Sequence, residues 1–296
     1  MEEPVSKTLK LNNGNDIPKF GLGTLLVKNV ADITYAGIKE GVRLIDTAWI
    51  YQNEKEVGKG INKALDDKLV KREDLFIITK VWATHKSDPE ASLIAQLKDL
   101  NLDYVDLYLD HAPVAYDNDK FFPQHIFWKN MEGVVKKGLA KSIGVCSYNV
   151  QLLMNLLSFA EIKPVVNQFE FHPYLTQPGL VKFCKDNNVK IMAYNSLGKN
   201  FFVEKYHSES KLNLIEDKII GEVGKKYNKT NGVILLNWAI SQDIIVIPST
   251  SSAERFKENL QCLSFKMSDE DIQKISKLNI PFRFGSVQGG APDIFA

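Results

Sequence analysis

Three side chains capable of acid–base chemistry mark the ends of predicted strands between residues 42 and 111, and a fourth follows the first of these strands. Residues 42–45 are mostly apolar and predict a buried strand that ends at Asp46, with Tyr51 five residues later. A buried carboxylate needs a cation or several hydrogen-bond donors. Lys80 and His111 close two later predicted strands and are candidate partners. The pattern therefore predicts a site where three strands each end in an ionisable side chain.

Together these side chains form an apparatus for protonating a carbonyl oxygen. An ammonium near Tyr51 favours the phenolate, which predicts a pKa below the ordinary value of about 10. Such a hydroxyl can give a proton to an oxyanion near neutral pH. Asp46 would hold Lys80 charged and in place, and His111 would orient the substrate oxygen. Taken singly, the Asp–Lys pair can be purely structural, and His111 can be a satisfied core histidine.

Composition limits the class of protein. The chain has 296 residues, 44% of them hydrophobic and 25% charged, and a net charge of +1, which is typical of a globular protein without a nucleic-acid partner. No apolar run approaches the roughly 20 residues of a membrane span, and the N-terminus lacks the pattern of a signal peptide. Three cysteines, Cys146, Cys184 and Cys262, are odd in number and indicate a reducing compartment. We expect a cytoplasmic protein.

The elements that must position these side chains alternate along the whole chain. A hairpin over residues 8–18 turns at Asn13-Gly14, and nine helices separate or follow the strands. The predicted strands cover residues 20–24, 42–46, 75–80, 104–111, 142–146, 165–168, 190–194 and 244–247. This rhythm predicts a single α/β domain, residues 1–296, folded as a (β/α)8 TIM barrel with an N-terminal β-hairpin and a C-terminal tail.

A doubly wound dinucleotide-binding sheet is the rival fold. It requires Gly-x-Gly-x-x-Gly after the first strand, and the segment from Gly21 to Leu26 lacks the third glycine. In a barrel, the carboxyl ends of the strands build the active site. The barrel would bring the candidate side chains at strand ends into one mouth: Asp46, Lys80, His111, Cys146, Gln168, Tyr194 and Ser249.

Several spaced motifs resemble those of the aldo-keto reductase family. The segment from Gly41 to Gly58, with its strand-end Asp46 and following Tyr51, resembles the family signature, and Lys80 and His111 fall where the family has its other two catalytic residues. Further matching motifs occupy residues 138–145, 166–168, 193–194 and 247–259. The resemblance covers about residues 8 to 280. The hydroxyl run at residues 249–252 also resembles a fungal branch that reduces dicarbonyl, α-keto amide or conjugated polyketone compounds.

The resemblance implies an NADPH-dependent reductase of small carbonyl compounds, with Tyr51 as proton donor, no metal site and a monomeric state. It implies that Tyr194 stacks on the nicotinamide and that Gln168 holds its carboxamide. Arg255, Glu258 and Asn259 would bind the adenosine end. The other implied cofactor-binding residues are Thr24, Asp46, Ser147, Leu197, Ser249, Thr250 and Ser251. The implied substrate-binding residues are Leu25, Trp82, His111 and Ala112.

Departures from the family pattern qualify this expectation. Leu25 and Ala112 stand where the family usually has tryptophans, which predicts a more open pocket and disfavours an aldose-type preference. Cys146-Ser147 replaces the usual Ser-Asn, and Ser249 replaces a lysine that usually meets the 2′-phosphate of NADPH.

Two other functions fit the same residues. A regulatory subunit could bind the cofactor without catalysis, and an aldolase could use Lys80 to form a Schiff base. Asp46 argues against the aldolase, because it would keep Lys80 protonated and therefore a poor nucleophile.

Overall fold

A parallel barrel organises the chain. The computed structural model describes residues 4–114, 116–117, 120–198 and 212–285. Within them, one eight-stranded parallel sheet has the order β12-β11-β10-β9-β6-β5-β4-β3. Its strands are β3 (Gly21–Gly23), β4 (Leu44–Asp46), β5 (Phe76–Val81), β6 (Leu107–Asp110), β9 (Ile143–Cys146), β10 (Val166–Glu170), β11 (Lys190–Tyr194) and β12 (Ile244–Val246).

The first and last strands of the sheet close the barrel. Phe20 and Val246 form a parallel bridge. The Val246 amide donates to the Lys19 carbonyl at 2.9 Å, and the Gly23 amide donates to the Pro248 carbonyl at 3.1 Å. Closure pairs the backbone N–H and C=O groups that the edge strands of an open sheet would expose. The predicted (β/α)8 barrel is confirmed.

Helices cover the outside of the barrel. In the described part of the chain they are α1 (Val30–Lys39), α2 (Glu54–Asp66), α3 (Pro89–Leu100), α4 (Gln124–Lys136), α5 (Val150–Phe159), α6 (Pro178–Asp186), α7 (Lys218–Tyr227), α8 (Asn231–Ile240), α9 (Ala253–Leu260) and α10 (Asp269–Ser276). The start of α3 follows its sequence signal, since Pro89 takes the first helical position and the Asp88 side chain accepts from the Ala91 amide.

A close helix contact depends on one glycine. A Cβ added to Gly58 in α2 would lie 2.5 Å from the Leu100 carbonyl oxygen at the end of α3. Asn62, one turn further along α2, donates to that same oxygen at 3.0 Å. The absence of a side chain at Gly58 therefore permits the approach of α2 to α3, which flank β5.

The N-terminal hairpin covers the end of the barrel opposite the strand carboxyl ends. β1 (Thr8–Lys10) pairs antiparallel with β2 (Asp16–Pro18), as predicted. Leu11 and Ile17 pack with barrel-interior residues such as Leu44 and Phe76 in one buried cluster. Their burial closes this end of the barrel.

Several boundaries differ from the predictions. β5 continues one residue past Lys80, and β6 ends at Asp110, so that His111 opens the following loop. The helix α10 and a small hairpin, β7 (Tyr116–Asp117) with β8 (Lys120–Phe121), were not predicted. The predicted insertion at residues 198–216 and the tail at 285–296 lie largely outside the described residues.

No helix in the described segments is both long enough and apolar enough to span a bilayer.

Candidate active site

Asp46 and Lys80 form a fully buried ion pair at the mouth of the barrel. The Lys80 Nζ atom lies 2.6 Å from Asp46 Oδ1, and the two side chains are 0% and 2% exposed. Lys80 also donates to the Thr47 carbonyl at 2.9 Å. The pair forms because β4 and β5 are neighbours whose side chains at these positions point into the barrel. Lys80 is the cation that a buried Asp46 requires.

Tyr51 reaches this ion pair from a single 3₁₀ turn after β4. The turn Trp49–Tyr51 ends at Gln52, whose left-handed conformation (φ 53°) redirects the chain into α2. Lys80 Nζ donates to the Tyr51 hydroxyl at 3.3 Å. The five-residue offset between Asp46 and Tyr51 therefore places the phenol beside the ammonium.

The His111 ring packs against the Tyr51 ring. The two ring centroids are 5.5 Å apart with the rings nearly perpendicular, and the Trp82 ring lies 5.3 Å from His111 in a similar edge-on arrangement. The His111 amide donates to the Val81 carbonyl at 3.1 Å, which fixes the backbone at the strand end. Asp46, Tyr51, Lys80 and His111 are thus brought together as predicted from their positions.

Burial changes the proton affinity of Tyr51 in the direction opposite to the sequence prediction. Desolvation raises its pKa to about 12, and the charge and hydrogen bond of Lys80 only partly oppose this. The predicted lowering of the Tyr51 pKa is wrong, because the sequence showed the ammonium but not how strongly the surrounding side chains would desolvate the phenol.

The pKa values of Lys80 and His111 are also shifted by their surroundings. The Asp46 carboxylate and the phenol raise the pKa of Lys80 above its ordinary value, against the opposing effect of burial. The pKa of His111 is held well below 6.5, chiefly by burial and then by the positive charges of Lys80 and Lys86. Lys80 is therefore an ammonium and His111 a neutral imidazole at physiological pH.

Gln168 joins the cluster from the opposite wall. Its Nε2 atom donates to Asp46 Oδ2 at 2.8 Å and lies 2.9 Å from Met192 Sδ. Its Oε1 atom lies 3.9 Å from the Cys146 thiol. The Gln168 carbonyl oxygen accepts from the Ser147 amide at 2.8 Å, with Ser147 in a left-handed conformation (φ 58°). Gln168, which is implied to hold the nicotinamide carboxamide, therefore contacts the ion pair directly.

Thr24 and Tyr194 lie at two further strand ends. Both the amide and the hydroxyl of Thr24 donate to the Asp46 carbonyl at 3.0 Å, and its own carbonyl accepts from Asn53. Tyr194 ends β11 and is half-buried, with a pKa raised chiefly by burial. Leu197, three residues later, is half-buried against the core.

The segment implied to bind the adenosine end follows β12. Ser249 and Thr250 are half-buried, whereas Ser251 and Arg255 are exposed. Ser252 caps α9, because its hydroxyl accepts from the Arg255 amide. This cap places Arg255 in the first turn of the helix. Two half-buried residues with the same implied role, Glu258 and Asn259, lie one turn further along.

The implied substrate-binding residues lie around the mouth. Leu25 and Trp82 are half-buried and Ala112 is buried. Leu26, next to Leu25, has a left-handed backbone (φ 61°) and a side chain that is 54% exposed. Ile50, beside Tyr51, is also an exposed apolar residue. The entrance therefore carries aliphatic side chains close to the acid–base group.

Sequence reasoning missed a second buried ion pair beside His111. Lys86 Nζ lies 2.6 Å from Asp110 Oδ1, with both side chains at most 1% exposed. The signal was present: Asp110 sits in a buried strand and needs a cation for the same reason that Asp46 does.

Glu170 was also missed. It ends β10, is fully buried and accepts from the amides of Phe284 (2.7 Å) and Gly285 (3.1 Å). His172 Nε2 lies 3.0 Å from the same carboxylate. A Cβ added to Gly285 would lie 3.6 Å from the Tyr194 ring. Glu170 thus ties residues 284–285 to the mouth beside Tyr194, a long-range contact that local sequence patterns do not encode.

Known proteins match this chain over nearly its whole length. Residues 26–280 match the model of the aldo/keto reductase family. The NADPH-dependent D-xylose reductase of Meyerozyma guilliermondii is 39% identical over 306 aligned positions, covering 94% of this chain and 96% of that protein. The NAD(P)H-dependent D-xylose reductase I,II of Candida tropicalis is 40% identical, covering 95% of each. A Bombyx mori aldo-keto reductase crystallised with NADP superimposes with a TM-score of 0.90 at 33% identity, covering 96% of both chains.

Proposed function

This chain belongs to the aldo/keto reductase family and is an NAD(P)H-dependent oxidoreductase acting on carbonyl groups, and we propose that it reduces aldehydes or ketones with NADPH while Tyr51 supplies the proton. The observation that carries the proposal is the position of Lys80 Nζ, 2.6 Å from Asp46 Oδ1 and 3.3 Å from the Tyr51 hydroxyl. This arrangement brings a proton donor (Tyr51), a cation (Lys80) and the counter-ion of that cation (Asp46) together at the barrel mouth.

Tyr51 acts as the general acid. Because its pKa is raised to about 12, the hydroxyl is protonated throughout the physiological range and has a proton to donate. When the proton leaves, negative charge develops on the phenol oxygen, where the Lys80 ammonium already donates a hydrogen bond. A fixed positive charge at the site of developing negative charge lowers the barrier. Asp46 keeps Lys80 charged and aimed at Tyr51.

His111 orients the substrate. As a neutral imidazole beside Tyr51, it can offer an N–H to the carbonyl oxygen without adding a positive charge to the pocket. Trp82 also packs against the His111 ring in an edge-on arrangement and limits its rotation. The carbonyl oxygen would then lie between the Tyr51 hydroxyl and the His111 ring, which satisfies the orientation that proton transfer requires.

The donor set around the mouth fits a phosphorylated dinucleotide. An exposed guanidinium at Arg255, with the hydroxyls of Ser249, Thr250 and Ser251, suits a phosphate. Tyr194 offers an aromatic face at the end of β11. Ser147, Gln168 and Asp46 offer hydrogen-bonding groups to the nicotinamide end, and Thr24, Leu197, Glu258 and Asn259 complete the proposed set. When bound, NADPH supplies the hydride that reduces the carbonyl carbon.

The Schiff-base alternative loses support from the same geometry. An aldolase lysine must lose its proton to attack a carbonyl. Asp46 and Tyr51 act against this, since both raise the pKa of Lys80. Borohydride treatment with substrate should therefore leave Lys80 unmodified.

Turnover of a carbonyl panel tests the proposal directly. NADPH oxidation is followed by its absorbance with aldoses, aromatic aldehydes, α-dicarbonyl compounds and ketones. Saturable turnover of at least one class supports reduction. Tight NADPH binding without turnover of any class would instead favour a cofactor-binding regulatory subunit. The panel also ranks the substrate classes by kcat/KM.

A further inference from the structure

A second buried charge cluster lies directly behind His111. It consists of Lys86, Asp110, Tyr148 and Gln124, which we call the Lys86 cluster. Lys86 follows β5, Asp110 ends β6, Gln124 begins α4 and Tyr148 follows β9. Lys86, Asp110 and Tyr148 are each at most 1% exposed. None of the four is part of the acid–base group formed by Asp46, Tyr51 and Lys80.

The Lys86 ammonium bridges the two residues on either side of His111. It pairs with Asp110 Oδ1 at 2.6 Å and donates to the Ala112 carbonyl oxygen. The same Asp110 oxygen accepts from the Ala112 amide at 3.3 Å. The side chain of the residue before His111 and the backbone carbonyl of the residue after it are thus attached to one buried cation, which restrains the turn that carries the imidazole.

Neighbouring elements hold this cation in turn. The second Asp110 oxygen accepts from the Tyr148 hydroxyl at 2.7 Å, and Tyr148 accepts from Gln124 Nε2 at 2.7 Å. Lys86 Nζ also lies 4.7 Å from the centre of the Phe127 ring in α4. The cluster therefore connects the loops after β5, β6 and β9 with the start of α4.

The energetics argue against a role in stability alone. A buried ion pair contributes little net stability, because desolvation offsets the attraction, and apolar residues of similar volume often serve as well. Such pairs are best explained where they fix a geometry. Here the geometry is that of the turn carrying His111 and Ala112, both of which face the mouth in the proposed function.

We propose that Lys86 and Asp110 are positioning residues for the reaction: their ion pair aligns the imidazole of His111 with the carbonyl oxygen of the substrate. The inference rests on the proposed function, in which His111 contacts that oxygen. Lys86 and Asp110 themselves touch neither substrate nor cofactor, so their effect passes through His111.

The main test replaces the whole pair. In Lys86→Met with Asp110→Leu, no charge remains unpaired, so the barrel should fold. We expect kcat/KM for the best carbonyl substrate to fall about tenfold, since a small misplacement of a positioning group has effects of this size. The dissociation constant of NADPH should change by less than about twofold, because the cofactor residues lie on other strands.

A matched control lies just before the same strand. Asp106 precedes β6 at the opposite end of the barrel and pairs with Arg72 at 2.8 Å, both side chains being largely buried. Arg72→Met with Asp106→Leu also removes a buried pair but leaves the turn at His111 untouched. We expect kcat/KM per folded molecule to stay within about twofold of wild type. An equal loss in both double variants would overturn the proposal in favour of general structural damage.

A double-mutant cycle separates positioning from any other effect. Once His111→Gln has removed the imidazole, replacing the Lys86–Asp110 pair should change kcat/KM by less than about twofold. A further tenfold loss would show that the pair acts elsewhere and would overturn the proposal. If His111→Gln itself has wild-type activity, the proposed function fails at His111. If His111→Gln is impaired and the pair variant is not, only the present inference fails.

A milder variant covers the case in which the pair variant does not fold. Tyr148→Phe removes one hydroxyl from Asp110 and keeps the buried ring. We expect a loss of about threefold in kcat/KM that disappears in the His111→Gln background. Unchanged kcat/KM in Tyr148→Phe, together with an unfolded pair variant, would assign the cluster to folding and overturn the proposal.

Discussion

Gln168 and Asp46 meet across the barrel mouth, where the Gln168 amide donates to Asp46 Oδ2 at 2.8 Å although 122 residues separate them. The other Asp46 oxygen accepts from Lys80 at 2.6 Å. Both carboxylate oxygens are thus occupied by donors on different strands. Asp46 cannot turn away from Lys80 without losing a buried hydrogen bond on the other side, so the ammonium is held at a fixed place below Tyr51.

Removing the acid alone should abolish most of the turnover. Tyr51→Phe keeps the ring that packs edge-on against His111 and deletes the hydroxyl that Lys80 contacts. We expect kcat to fall by at least about 10², the usual contribution of a general acid, with NADPH affinity nearly unchanged. Stopped-flow or steady-state NADPH oxidation measures kcat, and fluorescence titration measures the affinity for NADPH. Tyr35→Phe, which deletes a hydroxyl bonded to Asp67 at the surface, is the control. Near-wild-type turnover by Tyr51→Phe would refute its role.

The pH dependence of reduction follows from the two shifted groups. Tyr51 must be protonated to act, and its pKa is raised to about 12, so activity should be lost only as pH rises toward that value. His111 must be neutral, and its lowered pKa means that it stays neutral as pH falls below 6.5. We expect kcat/KM of the free enzyme to be flat between about pH 6 and 9. An alkaline loss centred near pH 8 that is absent from Tyr51→Phe would contradict this.

Breaking the ion pair from one side should destabilise the fold. Lys80→Met leaves Asp46 buried without its cation, although Gln168 still donates to it. We expect the free energy of unfolding to fall by about 3–5 kcal/mol. The comparison is Lys137→Met, which removes a surface pair with Glu90 and should cost at most about 1 kcal/mol. Urea denaturation of both variants checks the contrast, and equal losses would mean that burial does not matter here.

The sequence predicts the barrel and the four acid–base residues because both depend on local patterns. Strand–helix alternation is visible residue by residue, and a carboxylate that ends an apolar strand is conspicuous at Asp46. The same rule applied to Asp110, which lies in the buried strand before His111, predicts a buried cation beside it. In the structure this cation is Lys86.

Two other features depend on three-dimensional distances and could not be predicted from the sequence. The pKa of Tyr51 is the sum of an attraction to Lys80, which spacing indicates, and a desolvation that only packing reveals. The contact of Glu170 with residues 284–285 joins segments more than 110 residues apart. Neither has a local sequence signature.

The mouth should favour bulky or rigid carbonyl compounds. Leu25 and Ala112 occupy positions where indoles would narrow the entrance, and the neighbouring Leu26 is largely exposed. We predict a higher kcat/KM for α-dicarbonyl or aromatic carbonyl compounds than for open-chain aldoses. Ala112→Trp should reduce this advantage, because the added ring fills the space beside His111. The kcat/KM values of the wild type and of Ala112→Trp on a panel of these carbonyl compounds check both expectations. If xylose or glucose is the best substrate of the wild type, this view of the pocket is wrong.

Cofactor choice should depend on Arg255. Ser249 cannot supply the positive charge that a lysine would, which weakens discrimination against NADH. Arg255 is exposed in the first turn of α9, and its guanidinium can meet phosphate oxygens with two parallel N–H bonds. A charge-assisted contact of this kind gives about a tenfold to hundredfold preference for NADPH over NADH.

We therefore predict that NADPH binds more tightly than NADH, and that Arg255→Ala removes this margin with little change in NADH affinity. Lys257→Ala, an exposed cation on the same helix, should keep the margin. Dissociation constants of both cofactors for the three proteins decide the matter, and equal binding of NADH and NADPH by the wild type would show that Arg255 does not compensate for Ser249.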